Sequence, residues 1–413
     1  MASELEIRTC TADDWPGFIE TLVSAFGSPV TDEGHAQWEP LIDHARMLVA
    51  TDQQAGRETV VGTGGWVPFD MTVPGGEIPV AAVTMVTVRP THRRRGILRS
   101  LMTRQLHDLH AQGVGVAVLW ASESVIYQRF GYGIATFRSR IKIDRGHGAF
   151  LGGPAPVGST RLVDRSEALT LFPDVYERAR RLIPGSFKRS PVWWNQRAQP
   201  EHMLGPWSGG VFFRMVLEID GQPEGYAFYW TQPGWDRGLP NGSLDVLEAI
   251  GTSPIATREV WRYLLDVDLM ARVETHRLCK DHPLFLMLED PRQLRTLVND
   301  ATWIRLVEVQ AALAARRYAT EGAIAFELLD PLCPWNAGAW TLEAGPDGAQ
   351  VRRATASPDL RLSVAELGAM YLGTVPCSHL LGAGRLDELN PGAARRADLL
   401  FHADAPPWCL DDF

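Results

Sequence analysis

Near the start of the chain Trp15, Phe18, Ile19, Leu22, Val23 and Phe26 recur at the three- and four-residue spacing of a helix with one buried face. Thr11 and Asp14 supply a cap ahead of it, and residues 5–8 read as a short strand. Strand-like segments follow at 46–51 and 58–67. The next apolar run, 78–88, is rich in valine, alanine and threonine and lacks polar alternation, which predicts a strand covered on both faces. Arg89-Pro90-Thr91-His92 ends it. A helix then carries Ile97, Leu98, Leu101, Met102, Leu106 and Leu109 on one side. A second covered strand at 114–120 leads to a short helix at 123–130 and a Gly-Tyr-Gly turn at 131–133.

From about residue 155 the same plan recurs. A strand at 159–163 precedes a helix, and runs at 211–219 and 225–230, joined around Asp220-Gly221, read as a hairpin. The segment 244–250 resembles the covered strand before Arg89, and Ile255, Val260, Trp261, Leu264 and Leu265 mark a helix after it. Between them stands Gly251-Thr252-Ser253-Pro254, with no arginine cluster, so a duplicated second copy has lost its anion site. A third unit is expected from about Ala301. Residues 303–309 lead into a helix at 310–318, strands follow at 323–329, 339–344 and 350–354, and Ser363-x-x-Glu366 is a capping box.

The 413 residues are 45% hydrophobic and 22% charged, which excludes a disordered or fibrous chain and leaves room for several domains. Boundaries are expected at 1–150, 151–300 and 301–413. No apolar run is long enough to cross a bilayer and the first residues lack a signal-peptide pattern, so a soluble cytoplasmic protein is expected. The five cysteines form no CxxC pair, which argues against a zinc site or a disulfide framework, and no metal is expected. Lysine occurs only at Lys142, Lys188 and Lys280, and the net charge is −9. A negative surface repels phosphate backbones, so no nucleic-acid partner is expected, and it favours a cationic substrate.

One segment carries chemistry. The strand 83–88 runs into Arg89-Pro90-Thr91-His92-Arg93-Arg94-Arg95-Gly96, where a helix begins. Unpaired amides and the dipole make a helix N-terminus attractive to anions, Gly96 permits close backbone approach, and the arginines add charge and bidentate donors. A pyrophosphate fits such a place, although a solvated basic surface has the same composition.

The strand, the Arg93-x-x-Gly96 turn, the second strand and Ala121-Ser122-Glu123-Ser124-Val125-Ile126-Tyr127 together resemble the GNAT N-acetyltransferases. The usual last small residue of the turn is replaced by Leu98. Thr91 to Arg99, Ala121-Ser122-Glu123 and Ile126-Tyr127-Gln128-Arg129-Phe130-Gly131-Tyr132-Gly133 narrow the resemblance to the enhanced intracellular survival (Eis) family. It extends through Trp303-Ile304-Arg305-Leu306, Ala311-Ala312-Leu313 and the aromatic C-terminus.

The resemblance implies an α/β (α+β) chain. It would hold two fused GNAT-like mixed-sheet domains, the second degenerate, plus a C-terminal sterol-carrier-protein-like α+β domain, assembled as a homohexamer. It implies acetyl-CoA as cosubstrate and cationic amines of the aminoglycoside type as acceptors. Val86, Thr87 and Val88 would bond the pantetheine, Arg94, Arg95, Gly96, Ile97, Leu98 and Arg99 would line the pyrophosphate, and Ser122 with Glu123 would complete the cradle. Tyr127 would be the general acid and the terminal carboxylate of Phe413 the general base. A phenol gives its proton to a thiolate only if its pKa is lowered or the thiolate is desolvated.

Taken without the resemblance, Tyr127 is an ordinary core aromatic and Phe413 an ordinary chain end. His107 and His110 have a spacing that metals use, but an exposed helix face explains them as well. Trp193-Trp194 read as core or subunit contacts. Acceptor-binding groups of the family come from the first helix and the loop after it. Here the acid after Phe26 is missing, leaving Asp32 or Glu33, with Trp38, as substitutes, and Asp411 and Asp412 as an acidic rim. A protein-lysine or polyamine acetyltransferase, or a non-catalytic carrier of an apolar ligand, are the alternatives.

Overall fold

The computed structural model describes residues 5–27, 39–54, 57–198, 210–355 and 357–413. They cluster into two units. One comprises the chain up to Thr136 with Ala301–Asp404 and Asp411–Phe413, and the other Phe137–Asp300 with Ala405–Leu410.

In the first unit the covered apolar runs become central strands. β1 (Leu5–Thr9), β2 (Met47–Gln54), β3 (Arg57–Val73), β4 (Gly76–Val88) and β5 (Val116–Trp120) lie side by side, followed by the strand Thr302–Leu306 and then β6 (Gly133–Ile134). Only β4 and β5 run parallel. Helix α1 (Trp15–Phe26) is preceded by the expected Thr11–Asp14 capping box. It buries Phe18 and Leu22 against Met47, Val49 and Val60. Helix α2 (Ile97–Ala111) sets Met102, Leu106 and Leu109 on Ala81, Val83, Ala117 and Leu119, and Ile97 with Leu101 on Leu48, Ala50 and Val61. Each such side chain contributes about 1.5–3 kcal/mol on burial. Gly62 makes the approach possible, since a Cβ there would lie 2.9 Å from Ile97.

The second unit repeats this order. Its strands are β7 (Phe137–Asp144), β8 (Ser159–Leu162), β9 (Val211–Ile219), β10 (Gln222–Gln232), a small ribbon of β11 (Trp235–Asp236) and β12 (Leu239–Pro240), β13 (Gly242–Gly251), β14 (Met270–Cys279) and β15 (Leu297–Asp300). The main sheet runs β15-β7-β14-β13-β10-β9-β8, with β13 and β14 as its one parallel pair. Asp220 and Gly221, both at positive φ, turn the β9–β10 hairpin where the sequence placed it. Helices α4 (Arg165–Arg180), α5 (Pro191–Arg197) and α6 (Pro254–Leu265) accompany it, α3 being the short helix Ser124–Tyr127 of the first unit.

The strand Thr302–Leu306, β16, read from sequence as the entry to a third unit, pairs antiparallel with β5 and β6 and so completes the first sheet. β7, which falls inside the expected 1–150 boundary, belongs to the second sheet. After β16 a five-stranded sheet forms from β17 (Gly322–Leu329), β18 (Gly338–Gly345), β19 (Gly348–Arg353), β20 (Leu360–Ser363) and β21 (Asp387–Glu388), in the order β19-β18-β17-β20-β21. Ser363 and Glu366 form the expected capping box on the helix Val364–Met370. That helix lies close on Gly133, where a Cβ would meet the Ala365 carbonyl. Trp193, Trp194 and all five cysteines are buried, the latter unbridged. Among the described residues no helix is long and apolar enough to cross a membrane.

Candidate active site

β4 and β5 pair only from Val80 to Ala82 against Val116 to Val118. Beyond that point the strands part, leaving the 83–88 edge of β4 without a ladder partner on that side among the described residues. A bulge sits in the same stretch. Thr63 pairs with Thr87 and Gly65 with Thr84, so Met85 and Val86 face Gly64 alone, and Met85 takes φ 56°. Thr63 Oγ1 donates to the Met85 carbonyl at 2.7 Å, which leaves Thr87 Oγ1 to donate to Thr63 Oγ1 at 2.6 Å. A bulge re-aims backbone groups, and this one turns the edge at Val86–Val88 toward the gap.

The gap continues into the basic turn. Arg94 and Gly96 are left-handed, at φ 65° and 83°, and the first backbone bond of α2 is Ser100 N–H to the Gly96 carbonyl at 3.0 Å. The amides of Ile97, Leu98 and Arg99 are therefore the free N-terminal donors of the helix. All three residues line a cavity of about 800 Å³, together with Val86–Val88, Arg93, Arg94, Gly96, Ser122, Glu123 and Tyr127. Nothing lies within 4 Å of where a Gly96 Cβ would stand. Left-handed residues before a helix N-terminus, open space and the lining arginines Arg93, Arg94 and Arg99 suit a pyrophosphate. The residues present therefore fit acetyl-CoA.

Arg95 departs from its expected place. Its Nη1 lies 3.2 Å from Asp52 Oδ2, the same buried carboxylate oxygen that meets His92 Nε2 at 3.2 Å, and it is not among the cavity-lining residues. It braces the turn from beneath. His92 also bonds Thr91 Oγ1 through Nδ1 at 2.8 Å.

Tyr127 closes the cavity and is 5% exposed. Burial raises its phenol above the ordinary tyrosine value; a hydrogen bond with Ser122 opposes the shift and the Glu123 charge adds to it. Of the two conditions for proton transfer to a thiolate, a lowered phenol or a desolvated thiolate, the raised pKa leaves the second. Behind it Tyr132 packs edge-on, ring centroids 6.0 Å apart, and is fully buried.

Phe413 reaches the first unit but lies outside this cavity lining. Its ring is 6.2 Å from that of Phe69 on β3, and the Asp411 carbonyl accepts the Trp120 indole N–H at 2.8 Å. Trp120 is two residues before Ser122, so the chain end is tied at the root of the loop that carries the cradle. Asp32, Glu33 and Trp38 lie outside the described residues.

Ala25 and Phe26, at the end of α1 where the resemblance puts acceptor-binding groups, also line the cavity, as do Val125, Ile126, Arg129 and Phe130 around α3, to which the sequence assigned no role. Phe26 continues the apolar stripe of α1 yet is 54% exposed, at the cavity edge. His107 and His110 sit on the exposed side of α2, but their rings pack on Trp335, at 5.1 and 3.9 Å, and His110 pairs with Glu308. In the second unit Asp245, Glu274 and His276 bring ligand atoms within 4.8 Å of one another, with Lys142 already 3.0 Å from Glu274.

The second unit lacks the basic turn. Ser253 Oγ accepts the Ala256 N–H at 3.1 Å, which caps α6, and a Cβ on Gly251 would lie 2.2 Å from the Thr257 nitrogen. One helix donor is thus taken by Ser253, and Gly251 packs directly on the helix backbone.

Residues 6–135 and 185–306 each match a model of an acetyltransferase (GNAT) domain, and residues 309–410 match a sterol carrier protein domain. An uncharacterised N-acetyltransferase of Streptomyces coelicolor is 37% identical over 417 residues, covering 99% of this chain and all of that protein. The N-acetyltransferase Eis of Mycobacterium tuberculosis is 32% identical over 403 residues, 96% of each chain. The crystal structure of Eis1 from Mycobacterium abscessus superposes with a TM-score of 0.83 at 33% identity, covering 99% of this chain and 100% of that one.

Proposed function

The chain belongs to the Eis family of GNAT N-acetyltransferases, and from that premise we propose that it transfers the acetyl group of acetyl-CoA to amino groups of cationic small molecules of the aminoglycoside type. The observation that carries this reading is the single cavity that gathers the parted edge Val86–Val88, the turn residues Arg93, Arg94 and Gly96 with the helix start Ile97–Arg99, and the buried phenol of Tyr127.

The cosubstrate supplies a thioester carbonyl and a thiolate leaving group. The helix amides at Ile97–Arg99 with Arg93, Arg94 and Arg99 hold its negative charge, and the β4 edge orients its extended arm. A backbone N–H near Val86 faces the position where an oxyanion develops. Tyr127, kept protonated by burial, is the proton donor. The apolar side chains of Ile126 and Phe130 desolvate the leaving thiolate and raise its basicity too, so the proton moves between groups of closer affinity. The Phe413 carboxylate accepts the ammonium proton, directly or through water. By family likeness the protein works as a homohexamer.

A second acceptor class has support of its own. Glu123 is the one carboxylate among the described residues lining the cavity, and a single charge suits a polyamine or lysine side chain as well as an aminoglycoside.

Thiol release from acetyl-CoA, measured against aminoglycosides, polyamines and lysine peptides, tests both readings. Tyr127→Phe is expected to lower kcat by about 10²- to 10⁴-fold with acetyl-CoA binding retained, and removal of Phe413 to lower it comparably. Undiminished turnover in either variant removes that residue from the mechanism. No turnover with any acceptor, and no acetyl-CoA-induced rise in Tm, returns the chain to the carrier reading.

A further inference from the structure

The second unit parts its parallel strands as the first does. β13 and β14 pair from Gly242 to Asp245 against Met270 to Glu274 and then diverge. Between the parted ends lies a cavity of about 210 Å³. The segment 405–410 forms one wall through Pro406, Trp408 and Leu410. It is held by Trp408 N–H on the Pro184 carbonyl at 2.7 Å and by Arg197 Nη2 on the Leu410 carbonyl at 3.1 Å. With its helix capped by Ser253 and no basic turn at 251–254, this is not a second copy of the first site.

The polar side chains lining the cavity include two ring donors, Trp261 and His282, the Arg277 guanidinium, and the carboxylates of Glu248 and of Asp281, the latter 3.8 Å from Lys280 Nζ. Trp261 lines it, is 1% exposed, and its indole N–H has no acceptor among the described residues. His282 lines it too and accepts the Leu284 N–H at Nδ1, 3.1 Å away, so a neutral ring presents Nε2–H. Burial pushes the His282 pKa down to about 4, which keeps the ring neutral near pH 7. The nearby acceptors are engaged. Glu248 is taken by Arg189, Arg197 and Tyr226, and the Pro407 carbonyl accepts the Cys279 thiol at 3.8 Å. A buried N–H without an acceptor costs free energy that a ligand oxygen recovers. An apolar cavity of about 150 Å³ admits benzene, so the larger space here admits one ring and a polar group.

We propose that the second unit is a small-molecule site. Its ligand is a compact, largely apolar compound with one carbonyl or carboxylate oxygen, seated between the parted strands with that oxygen on Trp261 Nε1–H and His282 Nε2–H. Because Pro406, Trp408 and Leu410 line the cavity, the bound molecule braces the segment that runs on to Phe413.

The test uses the full-length protein saturated with coenzyme A, so that the first cavity does not take up the probes. Benzoate, acetophenone and toluene are titrated by calorimetry and by thermal shift, and amide exchange of 405–410 is followed. At least one oxygen-bearing probe is expected to bind below millimolar Kd and to slow exchange in 405–410, with toluene about tenfold weaker. Trp261→Phe removes the donor and should weaken that probe about tenfold, leaving toluene unchanged. Ala249→Leu narrows the same cavity from β13 and should abolish binding of all three, which keeps the proposal testable if the Trp261 variant does not fold. Failure of both oxygen-bearing probes to bind at millimolar concentration overturns the proposal. So does binding that survives Ala249→Leu, or toluene binding as tightly as the other two.

Discussion

At the scale of single residues, burial sets the protonation of the groups that matter. The Tyr127 phenol lies above its ordinary range because the cavity wall removes water from the charged form. A raised phenol stays protonated as pH rises, so kcat should show no alkaline limb from this group below about pH 10, the ordinary tyrosine value. A limb near pH 8 to 9 in a kcat profile would contradict its role as acid. His282 has the opposite character. Its pKa of about 4 lies below the histidine reference of 6.5, so as pH falls the unfolded chain takes the proton first. Stability is then lost between pH 6.5 and 4, by at most about 3 kcal/mol. His282→Asn keeps an acceptor for the Leu284 N–H and should flatten urea midpoints measured across that window. Glu248, held down to about 2 by Arg189 and Arg197 against its burial, adds a separate loss only below the carboxylate range.

At the scale of elements, backbone geometry builds the cradle. Gly96 stands at φ 83° ahead of α2, and an L side chain there costs about 1–2 kcal/mol. Gly96→Ala should lower stability by that amount and raise the KM for acetyl-CoA more than it changes kcat. An unchanged KM would mean that the turn does not approach the cosubstrate. β16 is tied in by a buried ion pair: Arg305 Nη2 meets both Asp330 oxygens at 2.8 and 2.7 Å, and Asn336 Nδ2 adds a bond to Asp330 at 3.1 Å. Removing one partner strands the other charge, so Asp330→Ala should cost about 3–5 kcal/mol in denaturant unfolding. A loss below about 1 kcal/mol would show that Arg305 finds another partner.

At the scale of the molecule, the chain threads its two units repeatedly, with residues 405–410 in the second and 411–413 back in the first. The final residues therefore depend on interactions along both stretches. If the homohexamer forms, sedimentation should give a mass near six times 45.7 kDa; a monomeric mass at working concentration would overturn it.

Much of this was legible in the sequence. Covered strands, the Thr11–Asp14 and Ser363–Glu366 caps, the Asp220-Gly221 hairpin and the basic turn follow from local rules of periodicity, capping and backbone freedom, which the amino acids nearby decide. The family likeness could be read for the same reason, since each of the segments that carry it is a short contiguous run. Which sheet a strand joins is not local. β7 and β16 have ordinary strand patterns, and only the partners available in the folded chain send β7 to the second sheet and β16 to the first. The same holds for Arg95, which reads as a third cradle arginine until Asp52 is found beneath it. It holds for Tyr127 as well, whose shift depends on the water excluded around it. The residue types and their short-range order were determined by the sequence alone; pairing, burial and the parted strands of the second unit were decided by contacts between residues far apart in the chain.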